Sequence, residues 1–316
     1  MPTCDRRPFV PVAIDCFQKQ DYPHRELVIV DDGTDPIDDL VPPDPRLRYH
    51  RLSRRAVLGE KRNLACELAQ GTVITHWDDD DWSPATRLSR QVKLLNESGA
   101  TICGAKQILY YDPLSERAWI YDRPLTTIWA EGNTLCYLRS FWEQAPFPSC
   151  TIETDLIFVG RSRRTAYVTA PPLLIAVIHP WNSSPKDPTA PYWFRVDAHT
   201  VHQLLGDDLQ TCRRHWSNAW HTDPDPRVVL CTPGQPKGKS RTLPPPRETV
   251  EEPLFTSGDS KMRRHFCTRA RIRRSLGLED PRHPRPRHDR RSRLVNGPPR
   301  RNPARGSLGT CQSAGA

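Results

Sequence analysis

The chain is short of apolar residues. Only 36% of its 316 positions are hydrophobic, against roughly 45–50% in an ordinary globular chain. No apolar run approaches the roughly 20 residues that cross a bilayer, which excludes a membrane-spanning helix. No signal peptide leads the chain, and none of its 10 cysteines forms a Cys-x-x-Cys pair. The cysteines therefore read as reduced, mostly buried small side chains, and the expected location is the cytoplasm, peripheral at most to the inner face of the membrane. The basic runs lack a recognisable nucleic-acid module and are almost free of aromatics, which argues against specific nucleic-acid binding.

What is present is unevenly spread. The formal charge is +9, yet residues 1–206 carry 23 Lys and Arg against 26 Asp and Glu. Residues 207–316 carry the other 23 basic residues against 11 acidic ones, with 14 prolines and 20 arginines. Such a segment has too few apolar anchors to offset chain entropy. The reading is a mildly acidic domain over 1–206 and a Pro/Arg-rich disordered tail over 207–316. Attraction of that tail to an anionic membrane surface follows from its charge alone.

Within the first part the apolar pattern alternates between elements. Phe9, Val12, Ala13, Cys16 and Phe17 fall at helical spacing, with prolines near the opening turn. "LVIV" (27–30) is apolar on both faces, as a covered parallel strand requires. "LRYHRL" (47–52) and "TVITHW" (72–77) read as strands. "LGEKRNLACELAQG" (58–71) reads as a helix with Leu64, Ala65 and Leu68 inward and Gly71 at its C-cap. "ATRLSRQVKLLNESG" (85–99) reads as a helix with Leu88, Val92 and Leu95 inward, stopped by Gly99. Short connections between such elements predict an α/β sheet. After Gly99, short strands dominate through "LLIAVIHP" (173–180).

Both acidic clusters, Asp31-Asp32 and Asp78 to Asp81, follow strands at their carboxyl ends, where open α/β sheets place ligands. Four adjacent carboxylates are stable only if a cation relieves their repulsion. Aspartate oxygens are the hard ligands that suit Mg²⁺ or Mn²⁺, which bind through one or two carboxylates together with substrate phosphates. A solvated acidic turn is the plainer reading, and Trp77 and Trp82 on either side of the run weigh against it.

The segments "MPTCDRRPFV", "ELVIVDDG", "LGEKRNLA", "HWDDDDW…RL" and "VIHPWNSSPK", in this order and spacing, resemble the family 2 glycosyltransferases from Met1 to about Asp208. The resemblance implies a GT-A fold, a Rossmann-like mixed sheet flanked by helices, and inverting sugar transfer from a UDP-, GDP- or dTDP-sugar. The acceptor is left as a glycan, a lipid-linked molecule or a small molecule. Carried over residue by residue, Pro2, Thr3 and Asp5 would line the nucleotide pocket. Asp32, with Asp31 beside it, would accept a hydrogen bond from base or ribose. Arg62 would lie against the base or the diphosphate. Asp78 and Asp80 would hold Mn²⁺ or Mg²⁺, with His179 as a further ligand candidate, and Asp79 and Asp81 would contact donor or sugar. Asp155 in "TIETDLIFV" would be the base that takes the acceptor proton, although Thr154 or Asp155 as a helix N-cap is the structural reading of the same residues. His179 reads more readily as a structural hydrogen-bonder. Glu131 and Gly132 fall on the acceptor side, and Trp119, Trp129 and Trp142 read as core or loop packing, with one of the three a candidate sugar platform.

The resemblance also implies a buried strand ahead of "MPT", and without it the sheet is expected to expose an edge. Three other readings stay open: a glycosyltransferase-like pseudo-enzyme that at most binds nucleotide, a nucleotidyltransferase on a similar sheet, and a nonspecific binder of anionic polymers through the tail.

Overall fold

In the computed structural model of the chain, the doubly apolar segment becomes β2 (Leu27–Asp31), buried along its whole length. It runs parallel to β1 (Pro2–Thr3) on one side and β3 (Leu47–Arg51) on the other. Residues 1–122, 130–151, 153–169, 172–219 and the backbone of a strand at 248–251 are described by the structure. Trp129 and most of the tail fall outside them.

Helix α1 (Val10–Gln18) has proline in its first turn and buries Val10, Val12, Ala13, Ile14, Cys16 and Phe17. Helix α2 (Leu58–Leu68) departs from expectation in two ways. Its buried face carries Gly59, Lys61, Arg62 and Cys66, whereas Leu64, Ala65 and Leu68 stay half-buried. Its end is Leu68 rather than Gly71, because the amides of Gln70 and Gly71 both donate to the Glu26 carboxylate, at 2.5 and 3.0 Å. The two cationic side chains on the inner face are there because acidic partners await them. Strand β4 (Val73–Thr75) follows, then α3 (Arg87–Ser98), whose Gly99 closes the helix at φ 65° and donates to Leu95 O. That left-handed angle is the reason for glycine at this position.

The second half opens with β5 (Ile102–Ala105), separated from β6 (Gln107–Asp112) by one residue, and β6 forms a hairpin with β7 (Arg117–Asp122). Next come β8 (Cys136–Leu138), α4 (Arg139–Gln144), α5 (Thr154–Val159), β9 (Arg164–Val168), β10 (Ile175–Val177), β11 (Trp193–Val196), α6 (Ala198–Leu205), α7 (Leu209–Ala219) and β12 (Glu248–Glu251). Two sheets result, ordered β10-β6-β7-β11 and β12-β9-β5-β8-β4. Parallel and antiparallel pairs coexist in both, so the mixed α/β expectation holds.

The domain edge expected at residue 206 lies inside the folded unit. Helix α7 buries Cys212, Trp216 and Ala219 in the same core cluster as Phe9, Phe17 and Trp77. Polar intervals within "LQTCRRHWSNA" hide this apolar stripe from a reading by composition. The backbone of β12 also returns to pair with β9 in parallel. All described residues belong to a unit spanning Met1–Cys267. The seven cysteines among them are unpaired, and no described helix is long and apolar enough to cross a membrane.

β1 covers only the Val30–Asp31 end of β2. Between the other end of β2 and β4 lies a cavity of about 660 Å³, lined by Leu27, Val28, Val73, Ile74 and Thr75 and reaching Arg62 and Asp78. The Met1 ammonium is buried beside it and donates to Val28 O at 2.7 Å. Burial lowers its pKa to about 6.

Candidate active site

Tryptophans pin the acidic run at both ends. Trp77 Nε1 donates to Ala13 O on α1 at 3.0 Å, and Trp82 Nε1 donates to Asp208 at 2.9 Å. The Trp82 backbone also exchanges hydrogen bonds with Ile175 on β10, at 3.1 and 2.8 Å. Arg87, fully buried at the start of α3, donates to His76 O and Asn133 O at 2.6 Å each and lies 4.9 Å over the Trp77 ring. With its flanks fixed, the run cannot splay apart to relieve its charge.

Asp78, Asp80 and Asp81 each present a carboxylate oxygen within 4.8 Å of the others. Asp81 accepts from Asn133 Nδ2 at 2.7 Å and from the Val177 amide at 3.3 Å. Asp80 Oδ2 faces Arg6 at 2.5 Å and His179 Nε2 at 3.0 Å. The sequence named His179 as a ligand beside Asp78 and Asp80, whereas Asp81 takes that third place in the cluster. The Trp181 amide donates to His179 Nδ1 at 3.2 Å. Its Nε2 lies 3.0 Å from Asn182 Nδ2 as well as from Asp80 Oδ2.

The titration behaviour records the crowding. Burial, reinforced by Asp80, raises Asp78 and lifts Asp79 to about 7, with Arg6 opposing at Asp79. Burial and the two neighbouring acids push Asp81 well up. Against the cost of burial, Arg6 and His179 hold Asp80 well below the usual range. Three hard oxygen ligands, mutually repelling and held in place, fit a divalent Mg²⁺ or Mn²⁺. Among the described residues, no soft ligand joins the cluster.

The second acidic pair is held by partners within the protein. Asp32 accepts from Lys61 Nζ at 2.7 Å and from the Ala56 amide at 2.8 Å, and Lys61 also reaches Thr3 O at 3.2 Å. Asp31 accepts from the Gly33 amide and from Tyr49 Oη, both at 2.8 Å, and pairs with Arg51 at 3.1 Å. Asp5, at φ 53°, accepts from the Thr34 amide, the Thr34 hydroxyl and the Asp35 amide, and pairs with Arg55. It closes the turn after β2. Pro2 and Thr3 form β1 alongside.

Asp155 opens α5, where Glu153 takes a left-handed φ of 61°. Neither Thr154 nor Asp155 caps the helix. The Thr154 hydroxyl instead accepts from Arg62 at 2.6 Å, and Arg62 also ion-pairs with Asp155 Oδ1. Arg62 is thus committed to Asp155, with its guanidinium 5.6 Å from the Phe147 ring. Gly132 packs against the other side of the carboxylate: a Cβ there would stand 2.0 Å from Asp155 Oδ2. The Asp155 charge also acts on Asp78, which ties the two acidic regions together electrostatically.

The residues that sequence reading passed over are the counter-charges, Arg6, Lys61 and Arg87, and the donor Asn133. A charge count beside the acidic run would have flagged Arg87, since buried acids demand buried bases, whereas Arg6 and Lys61 lie 74 and 29 residues from the acids they pair with.

Residues 1–152 match the family model for Glycosyl transferase family 2. WcaA of Escherichia coli (strain K12), named as a colanic acid biosynthesis glycosyl transferase, is 39% identical over 95 residues, covering 28% of this chain and 34% of WcaA. TuaG of Bacillus subtilis (strain 168), named as a teichuronic acid biosynthesis glycosyltransferase, is 29% identical over 101 residues, covering 30% of this chain and 40% of TuaG. The chain therefore matches well under half the length of these curated relatives. Among solved structures, S. aureus TarS 1–349 in complex with UDP aligns at 18% identity and a TM-score of 0.45, over 57% of this chain and 59% of that one. The mannosyltransferase PcManGT from Pyrobaculum calidifontis, in complex with GDP-Man and Mn²⁺, aligns at 19% identity and a TM-score of 0.44, over 72% and 64%. The similarity to glycosyl transferase family 2 thus covers the first 152 of 316 residues.

Proposed function

We propose that the chain transfers a sugar, with inversion, from a nucleotide-diphosphate donor to an acceptor hydroxyl. The observation that carries this reading is the trio Asp78, Asp80 and Asp81, gathered within 4.8 Å at the end of β4 in a chain similar to family 2 over residues 1–152. These residues would hold a Mn²⁺ or Mg²⁺ ion, which when bound neutralises charge on the departing diphosphate.

The chain's own residues do the rest. Arg62, itself held by the Thr154 hydroxyl, pairs with Asp155 through Oδ1, leaving Oδ2 as the basic oxygen. As the acceptor oxygen bonds to the anomeric carbon and the bond to the diphosphate breaks, Asp155 Oδ2 takes the hydroxyl proton, from a contact of about 2.6–3.2 Å. Beyond Lys61 and Ala56, a carboxylate such as Asp32 has lone-pair capacity that a ribose hydroxyl or base N–H of the donor would use. Asp79 and Asp81 stand beside the donor.

Calorimetric titration of the whole chain with UDP, GDP and dTDP, with and without Mn²⁺, tests the donor site. The expected result is metal-dependent heat with one nucleotide, lost in Asp80→Asn. Asp155→Asn should bind that nucleotide like wild type and lose transfer. Transfer near the wild-type rate in Asp155→Asn would remove that residue as the base. Metal-dependent binding without turnover of any matching sugar nucleotide would leave a binding protein in place of an enzyme.

A further inference from the structure

The acidic run already contains a cation, supplied by the chain itself. Arg6 comes from the turn ahead of α1, 74 residues away from Asp80 in sequence, and its Nη1 lies 2.5 Å from Asp80 Oδ2. The same nitrogen is 3.8 Å from Asp79 Oδ1 and 3.4 Å from His179 Nε2. Its Nη2 donates to Trp181 O and reaches Ser183 Oγ at 3.4 Å. The Arg6 side chain is 11% exposed and that of Asp80 13%, so water screens this pair poorly.

Asp80 is also one of the three carboxylates that converge. A divalent ion on this carboxylate would lie close to the guanidinium held 2.5 Å from its Oδ2, and two neighbouring cations repel strongly inside a poorly solvated site. Asp78 offers a contrast, since no hydrogen bond or ion pair to its carboxylate is present among the described residues. The guanidinium therefore stands in the ion's way at Asp80 alone.

We propose that Arg6 is the built-in counter-cation of Asp80 and competes with the divalent ion for that carboxylate. Entry of the ion moves the guanidinium off Asp80. Because the same side chain holds Trp181 O and Ser183 Oγ, that movement also loosens the 181–183 loop beside the site. Arg6 thus sets both the metal affinity and the loop's tether. The inference rests on the metal reading proposed above.

The test is calorimetric titration of the full chain with MnCl2 alone, comparing wild type, Arg6→Gln and Arg6→Lys. A charged hydrogen bond is lost from the competing state in Arg6→Gln, so Mn²⁺ should bind it about 10- to 100-fold more tightly than wild type. Arg6→Lys keeps a cation and should stay within about threefold of wild type. In chelator, Arg6→Gln should also melt several degrees below wild type, and Mn²⁺ should close the gap. Equal or weaker Mn²⁺ binding by Arg6→Gln overturns the assignment while leaving the metal site standing. Absence of Mn²⁺ heat in every protein, with UDP or GDP also present, overturns both. A second measurement needs only folded wild type and Arg6→Lys. The Arg6 Nε–H signal, identified by its loss in Arg6→Lys, should move as MgCl2 is added, and a signal that stays fixed through saturation overturns the proposal.

Discussion

Replacing Gly132 by alanine isolates the Asp155 carboxylate without removing it. The new methyl would sit 2.0 Å from Asp155 Oδ2 and 2.3 Å from its Cγ. Real Cβ contacts do not fall below 3.0 Å, so the carboxylate must move by about 1 Å or more. It is the free end of a rotatable side chain and will swing away while the backbone stays put. The swing breaks its pairing with Arg62, which keeps the Thr154 hydroxyl as partner. Because the Asp155 side chain is 26% exposed, the stability loss should fall near the lower end of the roughly 1.5–3 kcal/mol of a charged hydrogen bond. The catalytic loss should be larger, since a misplacement of about 1 Å at a reacting group costs on the order of 100-fold in rate. The assay is transfer from whichever sugar nucleotide gives metal-dependent heat, alongside nucleotide titration and thermal melts. The expected pattern is kcat down about 100-fold, with nucleotide affinity within about twofold. A control comes from Gly59→Ala, whose methyl would meet the Pro148 carbonyl oxygen at 1.9 Å. Backbone cannot rotate away, so the control should cost about 3 kcal/mol or more of stability. Wild-type transfer and wild-type melting in Gly132→Ala would refute Asp155 as the base and the packing that positions it.

Three further outcomes are expected. Lys61→Met strands the buried Asp32 charge and should cost about 3–5 kcal/mol in urea unfolding, with most of it recovered in the Lys61→Met/Asp32→Asn double variant. Asp79, with its pKa raised from 3.8 to about 7 by burial, holds a proton in the folded state that the unfolded chain releases. Stability in chelator should therefore fall as pH rises from about 4 to 7 on account of this residue, and Asp79→Asn should flatten that decline. Trp216→Ala, in the fully buried face of α7, should cost about 3–5 kcal/mol by calorimetric melting. A change under about 1 kcal/mol would mean that α7 is not part of the core.

The sequence disclosed what is carried by neighbours in the chain. Two-sided apolarity identifies β2 because strand burial is a property of four or five consecutive residues. Helical spacing and a glycine stop identify α3 for the same reason, and both acidic clusters are contiguous, so their place at strand ends is legible. Sequence order likewise carried the family resemblance that the match over residues 1–152 supports. Helix α2 shows where this reasoning ends. Its leucines suggested the inner face, yet Lys61 and Arg62 turn inward because Asp32 and Asp155 lie 29 and 93 residues away in sequence. Arg6 reaches Asp80 across 74 residues, and Trp216 finds its core partners on α1 across about 200. Buried charge is tolerated only beside an opposite charge, and only the folded chain decides which bases and acids meet. The sequence alone set the acids of this site, and tertiary structure chose their counter-ions and extended the domain through α7.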